Sequence, residues 1–266
     1  MAGKYHDVRG CGVNASVVVV GNELLTGHTE DANGPFLARQ LRSMGHRVRR
    51  ITVVPDEVEQ IVDVLEDARS RGRLIFVCGG LGPTGDDVTA DAVAAFLGRK
   101  LHEPEAARDQ VRRIYRKGKE RGLLETAEVD DSAWRMARVP EGGTVVRNDE
   151  GVAPGSVHET DDGARVCVLP GPPAELQSVF GHVRRRELLP TEDAIHETEV
   201  HLATYEAPVS DTLDALETDH PDVEVGSYPQ HDEKRVVVRL RGGQADVQAA
   251  RKDLVSRVPE LVIDDG

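Results

Sequence analysis

The sequence predicts an α/β protein whose first part winds helices around a mostly parallel sheet and whose last part is a small α+β domain. Three observations carry this. Continuous apolar runs, Ala15 to Val20, Leu74 to Cys78 and Val166 to Leu169, are short and mostly valine-rich, which suits strands buried on both faces. Each run ends at glycine or proline, and helical periodicity follows, the βα alternation of a parallel sheet. Past Pro190 the order changes to strand, helix, strand, strand, helix, strand.

Taken in order, residues 1–14 are a lead-in without periodicity. Strand one ends at Gly21, and Asn22-Glu23-Leu24-Leu25-Thr26-Gly27 forms the first strand-to-helix loop. Asn33 to Met44 sets Phe36, Leu37, Leu41 and Met44 at helical spacing, with Pro35 near the start and Gly45 as the stop. Arg47 to Val54 is strand two. Pro55-Asp56-Glu57 then opens a helix striped by Val58, Ile61, Val62 and Leu65, with Asp56 expected as its N-cap. After strand three, Leu74 to Cys78, the helix Ala90 to Leu97 is closed by Gly98, and Asp86, Asp87 or Thr89 is expected to cap it. Glu103 to Arg121 is a charged helix on an excursion from the sheet, and its Arg112, Arg113, Arg116, Lys117 and Lys119 read as a solvated face. A short helix near Asp131 to Met136 carries Trp134. Thr144 to Val146 is a strand, and Asn148 to Gly155 a turn-rich loop. The strand Val166 to Leu169 leads through Pro170-Gly171-Pro172-Pro173-Ala174-Glu175 into a helix reaching about Arg186. A linker falls at Leu189 to Asp193. Beyond it come strand Glu197 to Thr204, helix Val209 to Asp219, strands Val223 to Tyr228 and Arg235 to Arg241, helix Ala245 to Val258 and strand Leu261 to Ile263, a βαββαβ sandwich.

Composition narrows the function classes. With 33 basic and 47 acidic residues among 266, the net charge of -14 disfavours a nucleic-acid partner, whose affinity rests on phosphate neutralisation. No run of about 18 apolar residues suggests a membrane span, so a cytoplasmic location is expected. Cys11, Cys78 and Cys167 lack metal-like spacing, and the ten histidines form no zinc pair.

The chemistry concentrates in Gly79-Gly80-Leu81-Gly82-Pro83-Thr84-Gly85-Asp86-Asp87-Val88-Thr89. A buried strand that ends in glycines before a helix lets backbone N–H groups approach a phosphate. The adjacent aspartates would repel that phosphate unless a divalent cation neutralises them, so the reading is nucleotide plus metal. Gly80, Gly82 and Gly85 also spell G-x-G-x-x-G, but the run follows strand three and carries Pro83 and two acids. A dinucleotide fold for hydride transfer is therefore the more distant reading. The strand-to-helix junctions gather along one sheet edge, where separate loops can build one pocket.

These residues resemble the molybdenum-cofactor-biosynthesis fold of MogA and MoaB proteins and, most closely, the N-terminal part of the CinA family. The likeness runs through Gly21 to Gly27, Asp31-Ala32-Asn33, Gly79 to Thr84 with Asp86-Asp87-Val88-Thr89, Asn148 to Gly155 and Leu169-Pro170-Gly171, in order over residues 15–190. The tail from residue 195, with Gly226-Ser227-Tyr228-Pro229, is similar to a KH-type domain. Two motifs depart from the pattern: Asp31-Ala32-Asn33 lacks the usual threonine, and Pro172 replaces a valine. The resemblance implies a three-layer α/β/α domain that handles a nucleotide or pterin pyrophosphate with Mg²⁺ or a similar metal, in an oligomer, with a dimer favoured over a trimer. Because the chain stops where CinA continues into an amidase domain, no amidase activity is expected. Asp56 and Asp87 map to the catalytic carboxylates, with Asp86 and Asp87 toward the metal. Gly21, Asn22 and Glu23, then Gly79, Gly80, Leu81, Gly82, Pro83, Thr84 and Thr89, would hold substrate. Asn148, Gly151, Pro154 and Gly155, with Pro170, Gly171 and Glu175, would complete the rim. The expected activity is hydrolysis of ADP-ribose or a related dinucleotide. The alternatives are adenylyl transfer to molybdopterin and nucleotide binding without catalysis.

Overall fold

The computed structural model describes residues 13–188, 196–230 and 234–263. The chain divides into two compact units, the first made of Val13–Leu41 and His46–Leu189 and the second containing Pro190–Gly266. Most of the expected lead-in and the linker at Leu189 to Asp193 lie outside the described residues.

The first unit runs β1 (Asn14–Val20), α1 (Asn22–Leu25), α2 (Asn33–Ser43), β2 (Arg47–Val54), α3 (Val58–Arg71), β3 (Leu74–Cys78), α4 (Thr89–Leu97), β4 (Leu101–His102) and α5 (Glu105–Glu120). It continues with β5 (Val139–Pro140), β6 (Thr144–Val146), β7 (Gly155–Glu159), β8 (Arg165–Leu169) and α6 (Pro173–Glu187). Six strands form one sheet in the order β2-β1-β3-β8-β7-β6. β2, β1, β3 and β8 are mutually parallel, whereas β7 and β6 close the edge with antiparallel pairs.

Alternation along the central strands buries both faces. Val18 and Val20, Ile75 and Val77, and Val166 and Val168 pack with Ile61, Leu65 and Ala68 of α3 and with Ala92, Val93 and Phe96 of α4. On the opposite face Phe76 lies 5.9 Å from Phe180 of α6, which meets Phe36 of α2 edge-on at 5.7 Å. A fully buried side chain of this size contributes about 2–3 kcal/mol, and the two sets of helices complete three layers.

The reading of the sequence missed β7, because only Val157 marks it as apolar. Its polar residues are buried by pairing with each other: Ser156 Oγ lies 2.9 Å from His158 Nε2. The excursion has its own small core of Ala107, Val111, Ala137 and Val139, with a 3-10 turn at Ala133–Ala137 packed on α5. Arg108 stacks on Trp134 at 3.9 Å, and Arg112 pairs with Asp109 at 2.9 Å, so these cations serve the helix's own surface.

The second unit is β9 (His196–Leu202), α7 (Ser210–Asp219), β10 (Glu224–Gln230), β11 (Arg235–Gly242) and α8 (Gln244–Arg257), with an antiparallel sheet ordered β10-β11-β9. Leu202, Leu216, Leu240 and Leu254 centre its core. The strand expected at Leu261 to Ile263 is instead a 3-10 turn, Pro259–Leu261, followed by a single bridge between Val262 and Leu202. Pro259 favours the turn and has no N–H for a ladder, so pairing reduces to Ala203 N–H on Leu261 O at 2.7 Å and Ile263 N–H on His201 O at 2.8 Å.

Candidate functional site

A cleft of about 590 Å³ opens along the carboxyl edge of the parallel strands, within the size range of small-molecule sites. Gly21 and Glu23 reach it after β1, Asp56 after β2, Gly79, Gly80, Leu81, Gly82, Pro83, Asp86 and Asp87 after β3, and Pro170, Gly171 and Glu175 after β8. The junctions that sequence reading placed on one edge therefore converge.

Glycine is required where the loop after β3 turns. Gly79 and Gly80 have φ of 99° and 60°, and a Cβ would strike the Val20 carbonyl oxygen at the first and Thr89 Oγ1, 2.5 Å away, at the second. The loop is then tied by Asp87: its Oδ1 accepts from Gly82 N–H at 2.7 Å, and its Oδ2 from Thr84 N–H at 2.9 Å and Thr84 Oγ1 at 2.6 Å. This corrects two expectations. The N-cap of α4 is Val88, with no side-chain cap. The amides of Gly79 and Gly82 are also engaged inside the protein, Gly79 on Leu169 O at 3.2 Å, which leaves Gly80 and Leu81 to face a ligand.

Asp56 likewise does not cap α3, whose N-cap is Glu57. Its Oδ2 accepts instead from Asn22 N–H at 2.9 Å. Burial holds its carboxyl above the usual aspartate range; the Asn22 bond acts against this, and the negative charges of Glu23, Asp86 and Asp87 add to it. Glu175 is also pushed up by burial, against the bond from Asn148. Seven carboxylates line the cleft, those of Glu23, Glu30, Asp31, Asp56, Asp86, Asp87 and Glu175, and no Lys, Arg or His does so among the described residues.

Several expected rim residues lie behind the wall. Asn148 is fully buried: its Oδ1 accepts from Glu150 N–H at 3.1 Å and Gly151 N–H at 3.0 Å, and its Nδ2 donates to Ala153 O at 2.9 Å and Glu175 Oε2 at 2.7 Å. It thus shapes the loop that presents Val152 and Ala153 to the cleft. Gly151 gives Glu175 room, since a Cβ there would overlap its carboxylate. Gly155 belongs to β7, packed too closely on Val179 and the Val168 carbonyl for a side chain. Pro154 lines a separate small cavity, Thr89 is buried under Gly80, and Asn22 and Thr84 act through Asp56 and Asp87.

Sequence reading did not assign Asp31 or Asn33 to the site. Asp31 Oδ1 accepts from the amides of Asn33, at 2.9 Å, and Gly34, at 3.0 Å, at the start of α2, while Asn33 Nδ2 donates to Gly171 O at 2.7 Å. An Asp two residues before a helical stripe is a capping signal; the link to Gly171, 138 residues away, has no local one.

Carboxylate oxygens suit a hard divalent cation, and Mg²⁺ is commonly held by one or two carboxylates with substrate phosphates and water completing its shell. Among the described residues no three His, Cys, Asp or Glu side chains are already gathered to hold a metal on their own.

Comparison with known proteins agrees with this architecture. Residues 16–189 match the family model described as probable molybdopterin binding domain, and residues 194–266 the model described as FAD synthase, middle domain; the second match does not describe the KH-type domain expected for the tail. A protein of Aeropyrum pernix is 36% identical over 253 residues, covering 93% of this chain and 91% of its own length. A putative competence-damage inducible protein of Shouchella clausii is 38% identical over 178 residues, 67% of this chain and 40% of that relative. The solved structure of CinA from Thermoplasma acidophilum superposes with a TM-score of 0.58 at 32% identity, covering 65% of this chain and 97% of that one. The chain belongs to the CinA family, and its first unit is of the type described as a probable molybdopterin binding domain.

Proposed function

We propose that the cleft binds a nucleotide pyrophosphate together with a divalent cation and hydrolyses it, with ADP-ribose or a related dinucleotide as substrate. The observation that carries this reading is the convergence of seven carboxylates, with no cationic lining side chain among the described residues, on a glycine loop with amides left to bind an anion. Such a wall accepts a phosphate only with a cation between them. Asp86 and Asp87 are the residues that would hold that cation, which when bound offsets charge on the phosphate oxygens.

In the proposed reaction the amides of Gly80 and Leu81 hold phosphate oxygens. Asp56 orients water and takes its proton as the new P–O bond forms and the bridging P–O bond breaks, so that ADP-ribose gives AMP and ribose 5-phosphate. A carboxyl held above its usual range suits a proton acceptor. The test is to incubate the protein with ADP-ribose and other nucleotide diphosphates in Mg²⁺, Mn²⁺, Co²⁺ or Ni²⁺ and follow AMP. Release that stops on chelation is expected, and none with any metal defeats the proposal.

The description of the matching family, a probable molybdopterin binding domain, favours molybdopterin as an alternative ligand, and the other reading is its adenylylation in the same cleft. Adenylylated product from molybdopterin and ATP would select it. Saturable nucleotide binding with neither product would mark a binding module.

A further inference from the structure

We propose that Arg135 is the side chain that binds the anionic group of the ligand from behind the glycine loop. This rests on the reading of the cleft as a phosphate site, and supplies the positive charge that its walls lack. A cavity of about 20 Å³ lies beside the cleft and shares Gly80, Leu81, Gly82, Asp87 and Met136 with it. Arg135 and Arg138 are the cations in its lining. Arg138 is engaged, its Nη2 lying 3.0 Å from Asp91 Oδ1. Arg135 is not: its Nε is buried with no hydrogen-bond partner, and among the described residues no carboxylate pairs with its guanidinium.

An unpaired guanidinium whose Nε–H is shut off from solvent needs an explanation, because buried donors are almost always satisfied. Poor anchoring is not the reason. Arg135 sits in the 3-10 turn whose flanking Ala133 and Ala137 are buried, and the amide of Ala133 is held by Asp130 Oδ1 at 2.8 Å. The next residue, Met136, forms wall for both the cavity and the cleft. One water fits a cavity of this size and would satisfy Nε, but it would not neutralise the charge.

A phosphate on the free amides of Gly80 and Leu81, which line the same cavity as Arg135, would supply the opposing charge. It would also explain how a pyrophosphate is held whole, with one phosphate served by the cation among the acids and the other by the fork of Arg135. The ligand class is thus a diphosphate-bridged molecule rather than a bare nucleoside.

Calorimetric titration of the full chain in Mg²⁺ with ADP-ribose, inorganic pyrophosphate and adenosine tests this, using wild type, Arg135→Gln and Arg135→Lys. Arg135→Gln should weaken ADP-ribose about tenfold to a hundredfold, Arg135→Lys by less, and neither should change adenosine affinity or the melting temperature. Equal ADP-ribose affinity in wild type and Arg135→Gln overturns the proposal, leaving water as the partner of Nε. Parallel loss of adenosine binding also overturns it, as does absence of diphosphate binding by the wild type. Arginine-dependent binding without AMP release would instead defeat the hydrolysis reading and leave this one standing. AMP release with an unchanged KM in Arg135→Gln would do the reverse.

Discussion

Two loops with nearly the same vocabulary flank the cleft and do opposite work. The segment after β3, Gly79 to Asp87, and the segment before β7, Asn148 to Gly155, both mix glycine, proline and polar side chains. In the first, Asp86 and Asp87 face the cleft. In the second, Asn148 is buried and spends its whole hydrogen-bonding capacity on Glu150, Gly151, Ala153 and Glu175. Residue type marks a loop as able to bind, but burial decides whether its polar groups face a ligand or the protein.

The comparison breaks most visibly at Asp56, which shares the open character of the first loop. Asp56→Asn keeps an acceptor for Asn22 N–H but cannot take a proton, so the proposed release of AMP should fall about 10²- to 10⁴-fold. Its folded pKa is raised, so the stability linked to its proton is lost as pH rises through that value. The amide removes this loss, and melting at neutral pH should be unchanged or higher. A large drop in melting temperature would assign Asp56 to the scaffold.

Asn148→Ala should do the reverse, leaving buried amides and a carbonyl without partners and costing about 3–5 kcal/mol, read from denaturant unfolding. A variant as stable as wild type would show that the buried loop is not held as described.

The same buried wing should report on pH. Burial, with Arg99 adding to it, lowers His158 from 6.5 to about 4. The unfolded chain therefore takes up the proton first as pH falls, and stability is lost between about 6.5 and 4, on the order of 3 kcal/mol in total. His158→Gln should flatten that slope. His46, also lowered by burial, leaves a residual one.

The contrast also explains how much was legible beforehand. β2 and β3 agree with the sequence reading to the residue, because β3 is an apolar run stopped by Gly79 and β2, although it carries three arginines, ends in Val53 and Val54 and is stopped by Pro55. Asp56 and Asp87 both reach the cleft, as expected of acids at the carboxyl ends of parallel strands, which share an edge whatever their separation in sequence. β7 and the burial of Asn148 escaped for one reason: polar side chains that satisfy each other inside a protein have the same letters as those that face water.

The smallest expected effect tests whether the open loop is also partly scaffold. Asp87 is anchored by two backbone amides and one hydroxyl, so Thr84→Val removes one bond of three. Exposed as that bond is, its loss should cost about 1 kcal/mol or less. If the amides of Gly82 and Thr84 suffice to aim Asp87, turnover stays within a few-fold of wild type. If turnover collapses while melting does not, the hydroxyl is what holds Asp87 in its working position, and the two loops differ in degree of internal support rather than in kind.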